Sequence, residues 1–354
     1  TTVTVSENLT NSATGTITLT AGKTLSVKQD FTDSGTVSGT GTISFTGTTD
    51  QSFTPNSSTT YSEIREDKSY GKLTIASTLN ASKFTITRGT ETTFTGGVTI
   101  TTFSDAATAG DINFNAGGTI KSDTTMNTTM NTTGTVTIPA SQTLTVSDGA
   151  ATPTYYNFTH SAGSTAIAGE LKAAAITLGT TTISGTTAAI SGTSVSTGAI
   201  RATAGTDIFT VKSSDGNFAN IGQIGAATPG LTFTQVTFDA DTADLSLNGN
   251  TIFANTFTMT PGTSKKIKLQ GTITVNGTNG FIIPVSQPEV ELIAATTIST
   301  SGPITLYDNI TGSKALTVTN GGIFTLNGGN IVGNRADMSG GGIFANGGTV
   351  IINS

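Results

Sequence analysis

Cysteine and tryptophan are absent from this chain of 354 residues, and histidine occurs only once. Without cysteine the protein can form neither disulfides nor thiolate metal sites, so its stability has to come from hydrogen bonds and packing. A single histidine also excludes a metal centre built from several imidazoles. No apolar run approaches the roughly 18 residues of a membrane-spanning helix, and we therefore predict no membrane insertion of this segment.

Charged residues are also scarce. They make up 11% of the chain, compared with about 25% in typical soluble domains, and the formal net charge is -6 at pH 7. Nucleic acids and anionic membrane surfaces both require a basic protein surface. The composition therefore predicts that nucleic acid is not a partner.

Short runs in which Ile, Val, Leu or Phe alternates with Thr or Ser are abundant. Examples are TITLT at residues 16–20, TVTI at 135–138 and LTFTQVTF at 231–238. Such alternation is typical of strands that bury one face, whereas apolar residues at helical spacing are nearly absent. The sequence predicts an all-β protein.

The spacing of these runs predicts how the strands are arranged. Apolar pairs recur about six to eight residues apart, as in Ile17 and Leu19 followed by Leu25 and Val27. Three strands at this spacing make one coil of about 20 residues, which is the period of a solenoid. We therefore predict a parallel β-helix (β-solenoid) that forms a single elongated domain over residues 1–354.

Glycine-rich motifs near the end of the sequence raise the question of a ligand loop. The quartet Gly-Gly-Ile-Phe occurs at residues 321–324 and again at 341–344, about one coil later. A phosphate-binding loop would require a following lysine and helix, and neither follows Gly342. We interpret these glycines as corner residues of more regular repeats at 300–354, and we expect the chain to be a piece of a longer protein.

A family resemblance is carried by two stretches. The sequence NGGNIVGNRADMSGGGIFANGGTV, at residues 327–350, resembles the repeats of autotransporter passengers and polymorphic outer membrane proteins. Residues 39–75 are similar to a repeat of large bacterial adhesin-like proteins, with a Gly-rich strand, Gln-x-Phe, Tyr and Leu-x-Ile in order. The resemblance implies a right-handed parallel β-helix displayed on the outside of a bacterial cell.

One dense cluster of charge, at residues 62–72, suggests a site of partner contact. We predict an exposed, salt-bridged loop flanked by two tyrosines, because exposed aromatic and charged side chains together are typical of contact surfaces. The candidate contact residues are Tyr61, Glu63, Arg65, Glu66, Asp67, Lys68 and Tyr70.

Candidates for catalysis are few. A β-helix that cleaves polysaccharides needs clustered acidic and basic groups on one face. Glu289 and Glu291 are two residues apart, so we expect both to point outward while Val290 and Leu292 point inward. His160 is interpreted as a loop residue without a catalytic partner. We predict no catalytic residues and no cofactor.

The nearest approach to a metal site is a group of three aspartates. Asp239, Asp241 and Asp244 could offer oxygen ligands to Ca²⁺, but their spacing matches neither an EF-hand loop nor the calcium-binding nonapeptide repeat. We interpret these residues as a corner turn and predict no metal, with the three aspartates as the only calcium candidates.

These observations favour a non-catalytic extracellular rod of a bacterial surface protein that mediates attachment or cell-cell contact. Its partners would be proteins or glycans of a host or neighbouring cell. The first alternative is a subunit that self-associates, laterally or end to end, into an extracellular filament or surface layer. The second alternative is a β-helix that binds or cleaves polysaccharides.

Overall fold

The structure is a computed structural model. It describes residues 1–106, 109–122, 124–126, 135–228, 230–283, 289–307, 309–312, 314–319, 323–327, 343–345 and 349–353. The glycine-rich motifs at 320–322, 328–342 and 346–348, which carry most of the resemblance to autotransporter repeats, lie outside these residues.

The described chain is an all-β protein without helices, as predicted. Its strands pair in parallel with those of neighbouring turns and build a β-solenoid of about 14 turns, with roughly 21 residues in each turn. The predicted fold class and the predicted coil length of about 20 residues are both confirmed. In the part of the chain that the structure describes, no helix has the length and apolar character needed to span a membrane.

The chain divides into two compact units, residues 1–180 and 181–354. The strands that lie within the first unit are β1 (Thr2–Val5), β2 (Leu9–Asn11), β3 (Thr16–Leu19), β4 (Thr24–Val27), β5 (Phe31–Asp33), β6 (Thr36–Gly39), β7 (Thr42–Phe45), β8 (Gln51–Thr54), β9 (Thr60–Asp67), β10 (Leu73–Ile75), β11 (Leu79–Phe94), β12 (Val98–Asp105), β13 (Ala109–Phe114), β14 (Gly118–Ile120), β15 (Thr124–Thr125), β16 (Thr135–Ile138), β17 (Thr143–Val146), β18 (Phe158–Ile167) and β19 (Glu170–Lys172).

Strand β20 (Ala175–Ile183) contains the boundary between the units. The strands of the second unit are β21 (Ala188–Gly192), β22 (Ser194–Thr197), β23 (Ile200–Ala202), β24 (Ile208–Ser213), β25 (Phe233–Asp239), β26 (Leu245–Asn248), β27 (Thr251–Thr260), β28 (Ile267–Asn276), β29 (Phe281–Ile283), β30 (Val290–Thr300), β31 (Ile304–Leu306), β32 (Ile310–Thr311), β33 (Leu316–Thr319), β34 (Ile323–Asn327), β35 (Ile343–Ala345) and β36 (Thr349–Asn353).

In the first unit, apolar side chains from successive turns stack in columns. One column runs through β4, β7, β9, β11 and β12, where Leu25, Ile43, Ile64, Phe84 and Phe103 are neighbours in register. All five side chains are buried. The parallel pairing sets this arrangement, because it places equivalent positions of each turn directly above one another.

Aromatic rings reinforce the core of the first unit. The rings of Phe31 and Phe53, on β5 and β8, stack with centroids 5.2 Å apart and an interplanar angle of 13°. Phe94 and Phe114 repeat the arrangement on β11 and β13, with centroids 5.2 Å apart. Each fully buried side chain of this size stabilises the fold by about 1.5–3 kcal/mol relative to an exposed position.

The second unit follows the same principle with its own columns. Ile273 on β28, Ile298 on β30 and Val318 on β33 are register neighbours, and all three are buried. The rings of Phe218 and Phe238 stack at 4.5 Å with an interplanar angle of 8°. Each unit therefore has a core of like side chains contributed by successive turns.

Glycine at the corners permits close contact between turns. Gly39, at the end of β6, has φ of 91°, and a Cβ at this position would lie 2.1 Å from the carbonyl oxygen of Leu19 in the preceding turn. Only glycine tolerates both the left-handed backbone and this approach. The glycines of the motifs at 321–324 and 341–344, which we interpret as corner residues, are not tested in this way, because Gly321, Gly322, Gly341 and Gly342 lie outside the described residues.

Candidate functional site

The charged segment near residue 65 forms a strand rather than a loop. Strand β9 pairs in parallel with β7 of the preceding turn and with β11 of the following turn. The prediction of an exposed loop is therefore wrong for residues 62–67, which belong to β9, whereas residues 68–72 lie outside the strand. The charges concealed an alternating pattern in which Ile64 and Glu66 are buried while Glu63 and Arg65 are partly exposed.

Three of the seven predicted contact residues lie inside the first unit. Tyr61, Glu66 and Lys68 have exposed fractions of 1%, 0% and 1%. Their placement as surface residues is corrected by the structure. Glu66 and Lys68 lie two and four residues after the buried Ile64, so the alternation that begins at Ile64 directs them inward, whereas Tyr61 is buried out of phase with it. Buried polar groups of this kind require hydrogen-bond partners in the core.

Lys68 finds such partners at a corner of an earlier turn. Its ammonium group donates hydrogen bonds to the carbonyl oxygens of Gly47 at 3.0 Å and Thr49 at 2.7 Å, and to Oε1 of Gln51 at 2.8 Å. These acceptors match the three donors of an ammonium group. Burial lowers the pKa of Lys68, and the nearby carboxylate of Glu66 opposes that effect.

Gln51 connects this corner to the turn below it. Its Nε2 donates to the carbonyl oxygens of Val27 at 3.1 Å and Gln29 at 2.7 Å, while its Oε1 also accepts from the backbone N–H of Gly47 at 2.9 Å. Lys68 and Gln51 thus satisfy backbone groups that the corner leaves unpaired, and they join three successive turns.

Glu66 occupies a position in a column that is otherwise apolar. Its register neighbours are Phe45 on β7 and Ile86 on β11. Thr92 Oγ1 donates a hydrogen bond to Glu66 Oε2. Among the described residues no partner contacts Glu66 Oε1, which faces Gly89 so closely that a Cβ there would lie 2.3 Å away. Burial raises the pKa of Glu66 to about 8, so this side chain is largely neutral at pH 7.

Tyr61 belongs to a second buried network on the same strand. Its hydroxyl donates to Asp33 Oδ2 at 2.5 Å and accepts from the backbone N–H of Asn56 at 2.8 Å. The other oxygen of Asp33 accepts from Asn11 Nδ2 at 2.8 Å and from the backbone N–H of Gly35 at 3.1 Å. Burial, followed by the hydrogen bond to Asp33, raises the pKa of Tyr61 far above its usual range.

The outward side chains of β9 meet charged partners from the next turn. Glu63 Oε1 lies 3.0 Å from Arg65 Nη2 and 3.3 Å from Lys83 Nζ on β11. Asp67 Oδ1 lies 2.6 Å from Nε of Arg88, also on β11. We call these five residues the charged face. It retains three of the predicted contact residues and adds two that the prediction did not include.

The ionised state of the charged face is stabilised locally. Burial acts to raise the pKa of Glu63, but hydrogen bonds from Thr42 and Arg65 outweigh it and leave the pKa below its usual value. The hydrogen bond to Asp67 raises the pKa of Arg88. Glu63 and Arg88 therefore stay charged at neutral pH.

Hydroxyl groups extend the charged face. Thr85 follows Arg65 in register, and its Oγ1 lies 3.3 Å from Oγ of Ser104 on β12. Thr102 of β12 is the register neighbour of Lys83. Beyond the strand, Tyr70 is 69% exposed. The surface combines opposite charges, hydroxyls and one exposed aromatic ring.

The three calcium candidates are not brought together. Asp239 Oδ2 lies 3.8 Å from Lys212 Nζ, and Asp244 Oδ2 lies 2.8 Å from Lys268 Nζ. Asp241 has φ of 53° in the turn between them, as expected for a corner aspartate. The described residues contain no group of three or more His, Cys, Asp or Glu side chains that could hold a metal ion.

Glu289 and Glu291 point outward, as predicted, while Val290 and Leu292 are buried between and beyond them. Lys266 Nζ lies 3.2 Å from Glu289 Oε1 and 3.7 Å from Glu291 Oε2. A hydrogen bond from Thr311 Oγ1, together with Lys266, lowers the pKa of Glu289. This carboxylate stays ionised and is poorly suited to donate a proton as a general acid.

His160 does not lie in a loop, and that prediction is wrong. It belongs to β18, is completely buried, and its Nδ1 lies 3.0 Å from Thr165 Oγ1. The neighbouring residues gave a polar, small-residue pattern without clear alternation, which concealed the strand.

Two residues of the charged face, Lys83 and Arg88, were not predicted from the sequence, but each lies about one turn after an acidic partner. Lys83 lies 20 residues after Glu63, and Arg88 lies 21 residues after Asp67. The second unit repeats this spacing, with 23 residues between Lys266 and Glu289. A search for opposite charges one turn apart would have identified these pairs.

Comparisons with protein families, with curated proteins and with solved structures found no match for this chain.

Proposed function

We propose that this chain is a non-catalytic structural and adhesive segment of a bacterial surface protein, exposed outside the cell, whose charged face contacts a host or neighbouring cell. The observation that carries the proposal is the construction of that face. Glu63, Arg65, Asp67, Lys83 and Arg88 come from two successive turns and are fixed against one another by ion pairs.

The buried networks support a role in binding because they hold β9 in place from behind. Lys68 anchors one end of the strand and Tyr61 the other. A surface that is rigid before binding loses less conformational entropy when a partner docks. The charged face is therefore preorganised for contact.

The state of the candidate acids supports a non-catalytic role. Glu63, Asp244 and Glu289 each have a lowered pKa and a basic partner. A glycosidase needs one carboxyl group with a raised pKa at its site. Glu66 has that property, but its side chain is fully buried and cannot reach a substrate.

A binding experiment tests the proposal. Purified chain is incubated with bacterial and host cells at increasing salt, next to a variant with Glu63→Gln, Arg65→Gln and Lys83→Gln. We expect binding that weakens with salt and is lost in the variant, since exposed charges are screened. The matched control is Asp239→Asn with Lys212→Gln, which removes a surface ion pair of the second unit.

Three outcomes contradict the proposal. Equal binding by the charged-face variant and the control would show that the charged face does not contact the cells. New reducing ends after incubation with polysaccharides would show catalysis. Long polymers in electron micrographs, together with no binding to cells, would favour the filament subunit instead.

A further inference from the structure

The second unit contains an open groove of about 580 Å³. The residues that line it are Ala227, Thr232, Phe253, Asn255, Asn276, Gly277, Thr278 and Ser301. None of these described residues carries a charge, and none belongs to the calcium candidates or to the acidic pair at Glu289 and Glu291. The groove is therefore a separate feature of the surface.

Three successive turns build one side of the groove. Phe253 on β27 and Asn276 on β28 are register neighbours, so their side chains leave the sheet side by side. Ser301 follows Thr300, which is the register neighbour of Val275 on β28. Phe253, Asn276 and Ser301 thus form a row that advances about 4.8 Å with each turn.

A loop before β25 forms the other side. It is closed by hydrogen bonds from the N–H of Ala226 to the carbonyl oxygen of Leu231 and from Thr232 Oγ1 to the carbonyl oxygen of Ala226, both at 3.1 Å. Gly225, with φ of 71°, begins this loop, and a Cβ there would lie 3.0 Å from the Cβ of Phe253. The backbone of the loop therefore passes close to the phenylalanine.

Phe253 is an unusual outward residue. The other positions of β27 that face the same way carry Thr or Asn, whereas inward positions such as Ile252 and Ala254 are fully buried. Phe253 itself is partly exposed. A partly exposed aromatic ring on a polar surface offers an apolar face for stacking.

The polar groups around the ring can both donate and accept hydrogen bonds. Asn255 and Asn276 each carry an amide with two donors and one acceptor oxygen. Thr278 Oγ1 donates a 3.4 Å bond to Asn255 Oδ1, and among the described residues no hydrogen bond involves the amide of Asn276. The amide of Asn276 is therefore available to a ligand.

We propose that this groove binds a neutral sugar chain, with one sugar ring stacked on Phe253 and its hydroxyls bonded to Asn276, Asn255 and Ser301. A pyranose has an apolar C–H face and a rim of hydroxyls that both donate and accept, which complements this set of groups. The uncharged lining favours a neutral sugar over an acidic one. The proposal does not depend on the charged face of the first unit.

Saturation-transfer NMR and calorimetric titration of the purified chain test the proposal. The probes are neutral tetrasaccharides of glucose, mannose, galactose, xylose and N-acetylglucosamine, with a galacturonate tetrasaccharide for comparison. We expect at least one neutral probe to bind, and Phe253→Ala and Asn276→Ala each to weaken it about tenfold or more. The matched controls, Tyr307→Ala and Asn80→Ala, alter an exposed aromatic ring and a partly exposed amide outside the groove and should bind like the parent chain.

Several results would overturn the proposal. These are no binding of any neutral probe, preference for the acidic probe, or equal binding by the Phe253 and Tyr307 variants. Circular dichroism of each variant establishes that it is folded, and Asn276→Ala provides a second readout if Phe253→Ala unfolds. Sugar binding should be unchanged by salt and by the Glu63, Arg65 and Lys83 substitutions, so the two proposals can fail separately.

Discussion

Glu66 and Lys68 both point into the core of the first unit, with only Asp67 between them, and each is held by a different turn. Thr92 from a later turn bonds the carboxyl group, while Gly47, Thr49 and Gln51 from an earlier turn bond the ammonium group. The two side chains thus use hydrogen bonds to connect β9 with the turns on both sides.

Stability should fall as pH rises because of Glu66. Its pKa is about 8 in the folded chain, compared with an ordinary value of 4.5, so the folded state holds a proton that the unfolded state releases. The contribution of protonated Glu66 to the free energy of unfolding is complete below pH 4.5. It is lost as pH rises to about 8, at about 1.4 kcal/mol per pH unit. Urea unfolding of the first unit at about pH 5 and about pH 8.5 measures this loss, which we expect to be several kcal/mol.

Glu66→Gln is the control for this experiment, because its amide has nearly the shape of the protonated carboxyl group. The variant should lose most of the pH dependence and be more stable than the parent chain at pH 8.5. Because the Glu66 carboxylate also acts on the pKa of Lys68, the difference between the two proteins reports Glu66 together with its effect on Lys68. If the unfolding free energy of the two proteins varied identically with pH, the pH dependence could not come from Glu66.

Lys68→Met should destabilise the first unit by about 2–4 kcal/mol. The substitution keeps an apolar side chain of similar length but leaves three acceptors at the corner without their donor. Lys72→Met removes a lysine whose side chain is 54% exposed and paired with Glu91, and it should cost much less than Lys68→Met because an exposed ion pair is screened by solvent. Chemical denaturation of both variants at pH 7 compares them. Equal losses would show that Lys68 contributes no more than a surface residue.

Gly89→Ala should be destabilising through a contact with Glu66. The new Cβ would lie 2.3 Å from Glu66 Oε1, and we expect a cost of about 1–3 kcal/mol from overpacking. Gly97→Ala is the matched control, because nothing lies within 4 Å of a Cβ at Gly97.

A double-mutant cycle tests the cause. If Glu66 is the obstacle, Gly89→Ala should cost much less in a Glu66→Ala background, which gives a coupling energy of about 1 kcal/mol or more. If the losses in unfolding free energy of Gly89→Ala and Glu66→Ala are additive in thermal or urea unfolding, the strain at Gly89 does not come from Glu66.

Tyr61→Phe should cost about 1–3 kcal/mol because it removes only the hydroxyl group. Asp33 would lose its 2.5 Å hydrogen bond in a buried site, and the N–H of Asn56 would lose its acceptor. Tyr70→Phe makes the same chemical change at a residue that is 69% exposed and should have no measurable effect. Urea unfolding measures the stability of the two variants. Equal stability would show that the hydrogen bond between Tyr61 and Asp33 does not stabilise the first unit.

The alternation of apolar residues with Thr was sufficient to predict the strands and the coil length. It works at Leu25 and Val27, because side chains of one chemical type fill one column and parallel pairing repeats that column in the next turn. It fails at Glu66 and Lys68, because their inward placement depends on partners one or more turns away in the sequence.

Pairing between turns also explains the other differences between the predictions and the structure. The charges of β9 suggested a loop, whereas the pairing with β7 and β11 requires a strand. The outward position of Phe253 is visible in the alternation of β27, but the groove beside it depends on the register between β27 and β28 and on the loop before β25. Registers between turns are tertiary information that a single sequence shows only where charges or aromatic residues recur at the coil length.

Two ion pairs of the charged face, Glu63 with Lys83 and Asp67 with Arg88, join residues one full turn apart, and this limits how such a chain can change its length. Deleting a single residue from β9 would reverse its alternation, so that Lys68 and Glu66 would face solvent and Asp67 would enter the core. Duplication or loss of a complete turn preserves every register. The coil, rather than the individual residue, is therefore the unit in which insertions and deletions in this protein can be tolerated during evolution.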